Sequence, residues 1–293
     1  MHKMITDIGN KKIEALMGGE GDLTVVILPG MSSSMYEWEL VLNQLNGMTR
    51  FIILHRPGVG NSEIGKESRT TFTTAHDVKR FLEKLEITEP ILLIGHSYGG
   101  LCAQHFAKLF PNAVAGVILV DSTSVNLHKL NQIPLQDEED SDEQWIEKCT
   151  AYSKLSPGQL LKELNPQIAN NEKALSPLAQ REIILCQTSP NLYKVMASEI
   201  TSWESCASAI KQAGDFPDVP LLVIGRDPDY TIRSNDEINQ ADAATIENVW
   251  QDLIHEQVEL VSNSEYIQAE CAGHSIHLDR PDLIIKAIKS LLG

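Results

Sequence analysis

Short apolar runs alternate with longer amphipathic stretches along most of the chain. Leu23 to Leu28, Phe51 to Leu54, Ile91 to Ile94, Val114 to Val120 and Leu221 to Ile224 are apolar and rich in β-branched residues. Strands buried on both faces have this character. A further strand is predicted near Tyr266 to Ala269, and Ile5 to Met17, around Gly9-Asn10, reads as a leading hairpin at a sheet edge. Between these runs the period changes to that of a helix. Tyr36 to Leu45 is one such stretch. Val78, Phe81, Leu82 and Leu85 share one face of another, with Thr74-x-x-Asp77 expected as its capping box. Leu101, Phe106 and Leu109 recur among good helix formers up to Pro111. Glu237 to Val261 reads as a long helix, and a last one starts at Pro281 with Ile284, Ile288 and Leu291 aligned. Strand and helix patterns in alternation imply a mostly parallel sheet with helices on both faces, an α/β fold.

Residues 122–219 break the alternation, because no convincing strand interrupts them. Ser141-x-x-Gln144 is expected to cap a helix carrying Trp145, Cys149 and Tyr152. The acidic tract Asp137 to Glu143 sits where it complements that helix's dipole and reads as a solvated helix start. Pro157, Pro166, Pro177 and Pro190 cut the remainder into short helices. The organisation expected is a core domain formed by 1–121 and 220–293, with 122–219 as an inserted helical cap.

Composition narrows the function. The formal net charge of −16 argues against nucleic acid and anionic membrane surfaces as partners. The five cysteines are scattered, with no Cys-x-x-Cys pair, as free thiols of a reducing, cytoplasmic compartment would be. The N-terminal residues hold no apolar signal core, and no run approaches membrane-spanning length. No His-Glu-x-x-His or paired Cys/His spacing points to a metal, and no cofactor is expected. Gly58-Val-Gly60-Asn-Ser62 lacks the Gly-Lys-Ser/Thr ending of a phosphate loop.

The chemistry concentrates at Gly95-His96-Ser97-Tyr98-Gly99-Gly100. An apolar strand pattern ends in Gly-x-Ser-x-Gly and a helix pattern follows, which is the arrangement of a nucleophile elbow. A serine there stands on a sharp turn with its Oγ exposed, and glycines at 95 and 99 remove side chains that would collide. A serine hydroxyl needs a base to take its proton. His274 is the candidate, following Gly273 after a predicted strand; His277 is its nearest rival, and His96 is placed to line a pocket.

Four landmarks together resemble the α/β-hydrolase fold family: Leu28-Pro29-Gly30-Met31, His55-Arg56-Pro57-Gly58-Val59-Gly60-Asn61-Ser62, the elbow at Ser97, and Ala272-Gly273-His274 through Pro281. The resemblance implies an eight-stranded, mostly parallel sheet, a cap inserted after the sixth strand, and the chain order nucleophile, acid, histidine. It also implies backbone oxyanion donors at Met31 and Tyr98. The acid stays open. The family's usual Gly-x-x-Asp places Pro228, not aspartate, three residues after Gly225. Asp121 at the end of the sixth strand is weighed first, then Asp229, then Asp227. Dehalogenases and epoxide hydrolases of this fold carry aspartate at the elbow, so Ser97 argues against both.

The function expected is a cofactor-independent serine hydrolase acting on an ester, thioester, amide or lactone of a small molecule. Trp145, Trp203 and the leucines of the insertion either favour an apolar one or pack the cap onto the core. The alternatives are an iminopeptidase or carbon–carbon hydrolase, with Glu147 or Glu163 as amine ligands, and a non-catalytic ligand receptor. Oligomeric state is left open.

Overall fold

Alternate side chains of the central strands enter two different cores, and this sets the layering. A computed structural model of the protein describes residues 1–133, 141–235 and 238–292. Asp137 to Asp140 of the acidic tract and Glu237 lie outside the described residues. In chain order the elements begin β1 (His2–Asp7), β2 (Lys12–Gly18), β3 (Thr24–Leu28), α1 (Glu39–Leu45), β4 (Arg50–Leu54), α2 (Thr71–Lys84), β5 (Ile91–His96), α3 (Tyr98–Leu109) and β6 (Val114–Val120). A helical segment follows, comprising α4 (Asp142–Tyr152), α5 (Pro157–Leu164), α6 (Pro177–Gln187) and α7 (Pro190–Gln212). The chain then completes β7 (Leu221–Arg226), α8 (Pro228–Ser234), α9 (Gln240–Val258), β8 (Ser264–Ala269), α10 (Ile276–Asp279) and α11 (Pro281–Leu292).

The eight strands form one sheet in the order β1-β2-β4-β3-β5-β6-β7-β8. The β1–β2 hairpin and the β2–β4 pair are antiparallel; β4 through β8 pair in parallel. Val26 and Leu28 of β3 join one core with Phe81 of α2, Phe106 of α3 and Ile254 of α9. Val25 and Ile27 join the other with Leu42 of α1 and Ile284 and Ile288 of α11. Each fully buried isoleucine or leucine in these layers stabilises the fold by roughly 1.5–3 kcal/mol. The eight strands and the mostly parallel sheet match the expectation from the family resemblance, and among the described residues no strand interrupts the segment between β6 and β7.

Two local expectations change. The capping box of α2 is Thr70 with Thr73, not Thr74 with Asp77. Asp77 lies inside the helix, where its carboxylate accepts from the buried Lys11 Nζ at 2.9 and 3.0 Å. The stretch Tyr36 to Leu45 is split, a 3-10 turn over Met35–Trp38 preceding α1.

Candidate active site

The C-terminal ends of β3, β5, β6 and β7 and the loop after β8 converge on one edge of the sheet, where open α/β sheets bind ligands. β5 delivers Ser97 on a turn with φ 51° and ψ −127°, a region a non-glycine residue occupies at a cost of about 1–3 kcal/mol. The surroundings hold it there. Ser97 N–H donates to Val120 O at 3.2 Å, and Ser97 O accepts from Gly100 N at 2.8 Å and Thr123 N at 3.1 Å. The flanking glycines are required by close approach. A Cβ on Gly95 would lie 2.6 Å from Gly100 Cα; one on Gly99 would overlap the carbonyl oxygens of Leu28 and Pro29; one on Gly100 would overlap the Ser122 side chain.

Of the three aspartates weighed as the acid, Asp121 is the one that meets His274. His274 Nδ1 donates to Asp121 Oδ2 at 2.5 Å. That bond places the proton on Nδ1 and leaves Nε2 as the acceptor. Asp121 is fully buried, with φ 38° at the end of β6. Its Oδ1 accepts from Trp250 Nε1 at 3.0 Å and Arg226 N at 3.3 Å. Burial opposes ionisation of Asp121. The His274 bond and the Arg226 guanidinium 3.5 Å away outweigh it, and the carboxyl is held below its ordinary pKa. Arg226 is fixed in turn by the buried Glu247, at 2.5 Å, and lies over the Trp250 ring at 4.5 Å. Asp229 is exposed in the first turn of α8. Asp227 caps that helix, accepting from Tyr230 N at 3.0 Å and Cys271 N at 2.9 Å. Asp227 thus serves as the N-cap of α8, and Asp229 lies in its first turn.

The other histidines separate clearly. His96 Nε2 donates to His274 O at 3.0 Å, bracing the loop that carries the base. Burial holds the His96 pKa well below its usual value. His277 stacks on Trp38 at 4.6 Å and is fully buried, which pushes its pKa down to about 3; it is a core imidazole.

Ser97, His274, His96, Gly30 and Met31 line a cavity of about 380 Å³. Tyr98 opens α3, where its backbone N–H has no intrahelical partner. Arg56, two residues beyond β4, pins the loop before Met31. Its Nη1 donates to Pro29 O at 2.5 Å and its Nη2 to Gly30 O at 3.1 Å. The same guanidinium pairs with Glu199 of α7 at 2.9 and 3.1 Å. Neither Arg56 nor Arg226 was singled out from the sequence as part of the site. The signal for Arg226 was the strand end itself, where the expected Gly-x-x-Asp fails.

The cavity wall is mixed in polarity, which corrects the expectation of an apolar pocket. Leu192, Tyr193, Met196 and Leu278 share it with Glu37, Glu172, Asn171 and Gln187. Trp145 is exposed, and Trp203 Nε1 donates to Asp142 Oδ2 at 3.0 Å, so these tryptophans pack or solvate the insertion. Glu147 and Glu163 are exposed and absent from the cavity wall.

Comparison with known proteins agrees with this architecture. The alpha/beta hydrolase fold family model matches residues 24–281. The chain belongs to the α/β-hydrolase fold family. It is 22% identical to the cis-3-alkyl-4-alkyloxetan-2-one decarboxylase of Shewanella oneidensis, over 97% of this chain and 86% of that protein. It is 24% identical to the uncharacterized protein YbdG of Bacillus subtilis, over 40% of this chain and only 37% of that relative's length. Among solved structures, the enol-lactonase from Burkholderia xenovorans LB400 superposes with a TM-score of 0.70 at 17% identity, covering 99% of each chain. Among the described residues no helix is long and apolar enough to cross a membrane.

Proposed function

We propose that the chain is a serine hydrolase that cleaves a carboxylic ester or related acyl bond through an acyl-enzyme. The observation that carries this reading is the His274–Asp121 bond on the same cavity as a serine held at positive φ. Ser97 Oγ attacks the carbonyl carbon while His274 Nε2 takes the hydroxyl proton. Asp121 keeps the imidazole in that tautomer and stabilises its charged form. The carbonyl oxygen becomes an oxyanion, which the backbone N–H groups of Met31 and Tyr98 are assigned to receive. Collapse expels the leaving group, which takes the proton from His274. Water then repeats the sequence on the acyl-enzyme, releasing the acid and restoring Ser97.

In this reading residues 122–219 act as a cap over the sheet edge, supplying Glu172, Leu192 and Tyr193 to the cavity. The five cysteines, free in the structure, support a cytoplasmic site of action. Acid quenching during turnover of a short 4-nitrophenyl ester should trap an acyl adduct on Ser97, seen as a mass increase mapped to the elbow peptide. Turnover with no adduct and an undiminished rate in Ser97→Ala would remove the serine from the mechanism.

A further inference from the structure

Buried carboxylates in this protein are paired with cations at several places. Glu199 meets Arg56, Glu247 meets Arg226 and Asp77 meets Lys11. Glu37 and Glu172 are different, and both line the cavity at Ser97. Among the described residues Glu37 accepts from neutral groups, Ser34 N at 2.7 Å and Ser33 Oγ at 3.0 Å. The imidazole 3.6 Å from it, His277, is held neutral by burial. Glu172 accepts from Ala169 N at 2.7 Å. Ionised carboxylates have lone-pair sites to spare beyond these bonds. Among the described residues the cavity wall contains no lysine or arginine.

Glu37 sits on the turn that follows the Met31 loop, whereas Glu172 comes from the insertion, so carboxylates enter the cavity from both sides. Burial pushes the Glu37 carboxyl up to about 7, and burial together with the charge of Glu37 raises that of Glu172. Desolvated anions without a counter-ion are unfavourable, and a bound cation relieves that cost. The remaining wall offers Tyr193, Leu192, Met196 and Leu278 to an organic skeleton.

We propose that the substrate is a small acyl compound bearing a cationic amine, which Glu37 and Glu172 hold while the carbonyl lies at Ser97. This rests on the serine-hydrolase reading for the reacting end and on the two carboxylates for the other end. An anionic substrate is disfavoured by the same charges.

The test uses matched esters. The 4-nitrophenyl esters of 4-(aminomethyl)benzoate and 4-ethylbenzoate place the amine on the acyl side, and 3-aminopropyl and butyl benzoate place it on the alcohol side. The amine should raise kcat/KM about 10–100-fold in one of these pairs, the range expected for a hydrogen bond to a charged group. In the Glu37→Gln/Glu172→Gln protein that ratio should fall to about 3 or less; glutamine keeps the length and one acceptor of glutamate. Equal or faster turnover of the neutral esters by the native chain overturns the proposal, as does a cation preference that survives both substitutions. Calorimetric binding of 4-(aminomethyl)benzamide and 4-ethylbenzamide to Ser97→Ala separates this from the chemistry. A preference for the amine that Glu37→Gln/Glu172→Gln abolishes supports the cation site even if Ser97 proves unreactive; equal or absent binding of the two, with active ester hydrolysis, overturns the cation site alone.

Discussion

Replacing Glu199 by alanine isolates one charge in the interior. Arg56 and Glu199 are 5% and 2% exposed and are joined by two short N–H···O bonds. Burial alone would lower the Arg56 pKa, but the Glu199 charge reverses this and holds it above the usual value. After the substitution the guanidinium keeps, among the described residues, the neutral carbonyls of Pro29 and Gly30 and the Tyr98 ring, 5.2 Å away. Removing one partner of a buried pair costs about 3–5 kcal/mol, most of it the penalty of leaving the other charge uncompensated. At roughly 2–4 °C per kcal/mol for a chain of this size, Tm should fall by about 6–20 °C. Arg56→Met with Glu199→Leu removes both charges while filling the space, so the double variant should be more stable than Glu199→Ala. Urea unfolding at pH 7, closed as a double-mutant cycle, measures both effects. Because Arg56 also holds the loop before Met31, the Glu199 variants should lose kcat more than they raise KM. A loss below about 1 kcal/mol for Glu199→Ala, with additive single effects, would refute the view that this pair couples α7 to the loop.

Three further outcomes follow from the same contacts. Asp121→Asn should lower turnover by about 10⁴, since the imidazole then loses the partner that fixes its tautomer; Asp227→Asn and Asp229→Asn should stay within a few-fold, and steady-state kinetics on the three variants decides between them. Gly99→Ala should destabilise the fold by several kcal/mol, as its Cβ has only backbone carbonyls to push against; chemical denaturation would show a near-native midpoint if the close approach were unimportant. Glu14 is 1% exposed; burial opposes its ionisation, but bonds from His55 Nδ1 at 2.8 Å and Asn61 N at 2.8 Å prevail and hold its pKa down to about 2 against 4.5. Its folded pKa is therefore the lower one, so its contribution is complete above about pH 4.5 and is lost as the pH falls toward 2. Acid titration of Glu14→Gln should be flatter than that of the native chain across this window.

What the sequence revealed, and what it hid, divides by distance along the chain. The strand runs, the proline-started last helix and the elbow are local patterns, and each appears within a few residues of its expected place. Ser97 and His274 were legible because each sits in a short motif. The acid was not decided, since the choice depends on groups brought together by the sheet: Trp250 from α9 and Arg226 from β7 both bond Asp121, 129 and 105 residues away. Thr74-x-x-Asp77 misled because Thr70-x-x-Thr73, four residues earlier, satisfies the same geometry. The cavity glutamates were also hidden. Ser34-x-x-Glu37 is a capping box by pattern, as the structure bears out, yet only folding reveals that its carboxylate also lines the cavity.

The central claim is that Ser97 is an activated nucleophile. The direct measurement is intact mass after incubation with a fluorophosphonate, on the native chain and on Ser97→Ala. One probe per native chain, mapped to the peptide containing Ser97, with none on the variant, is the predicted result. Equal labelling of both proteins, or no labelling of the native chain together with no hydrolysis of a small acyl ester, would contradict it.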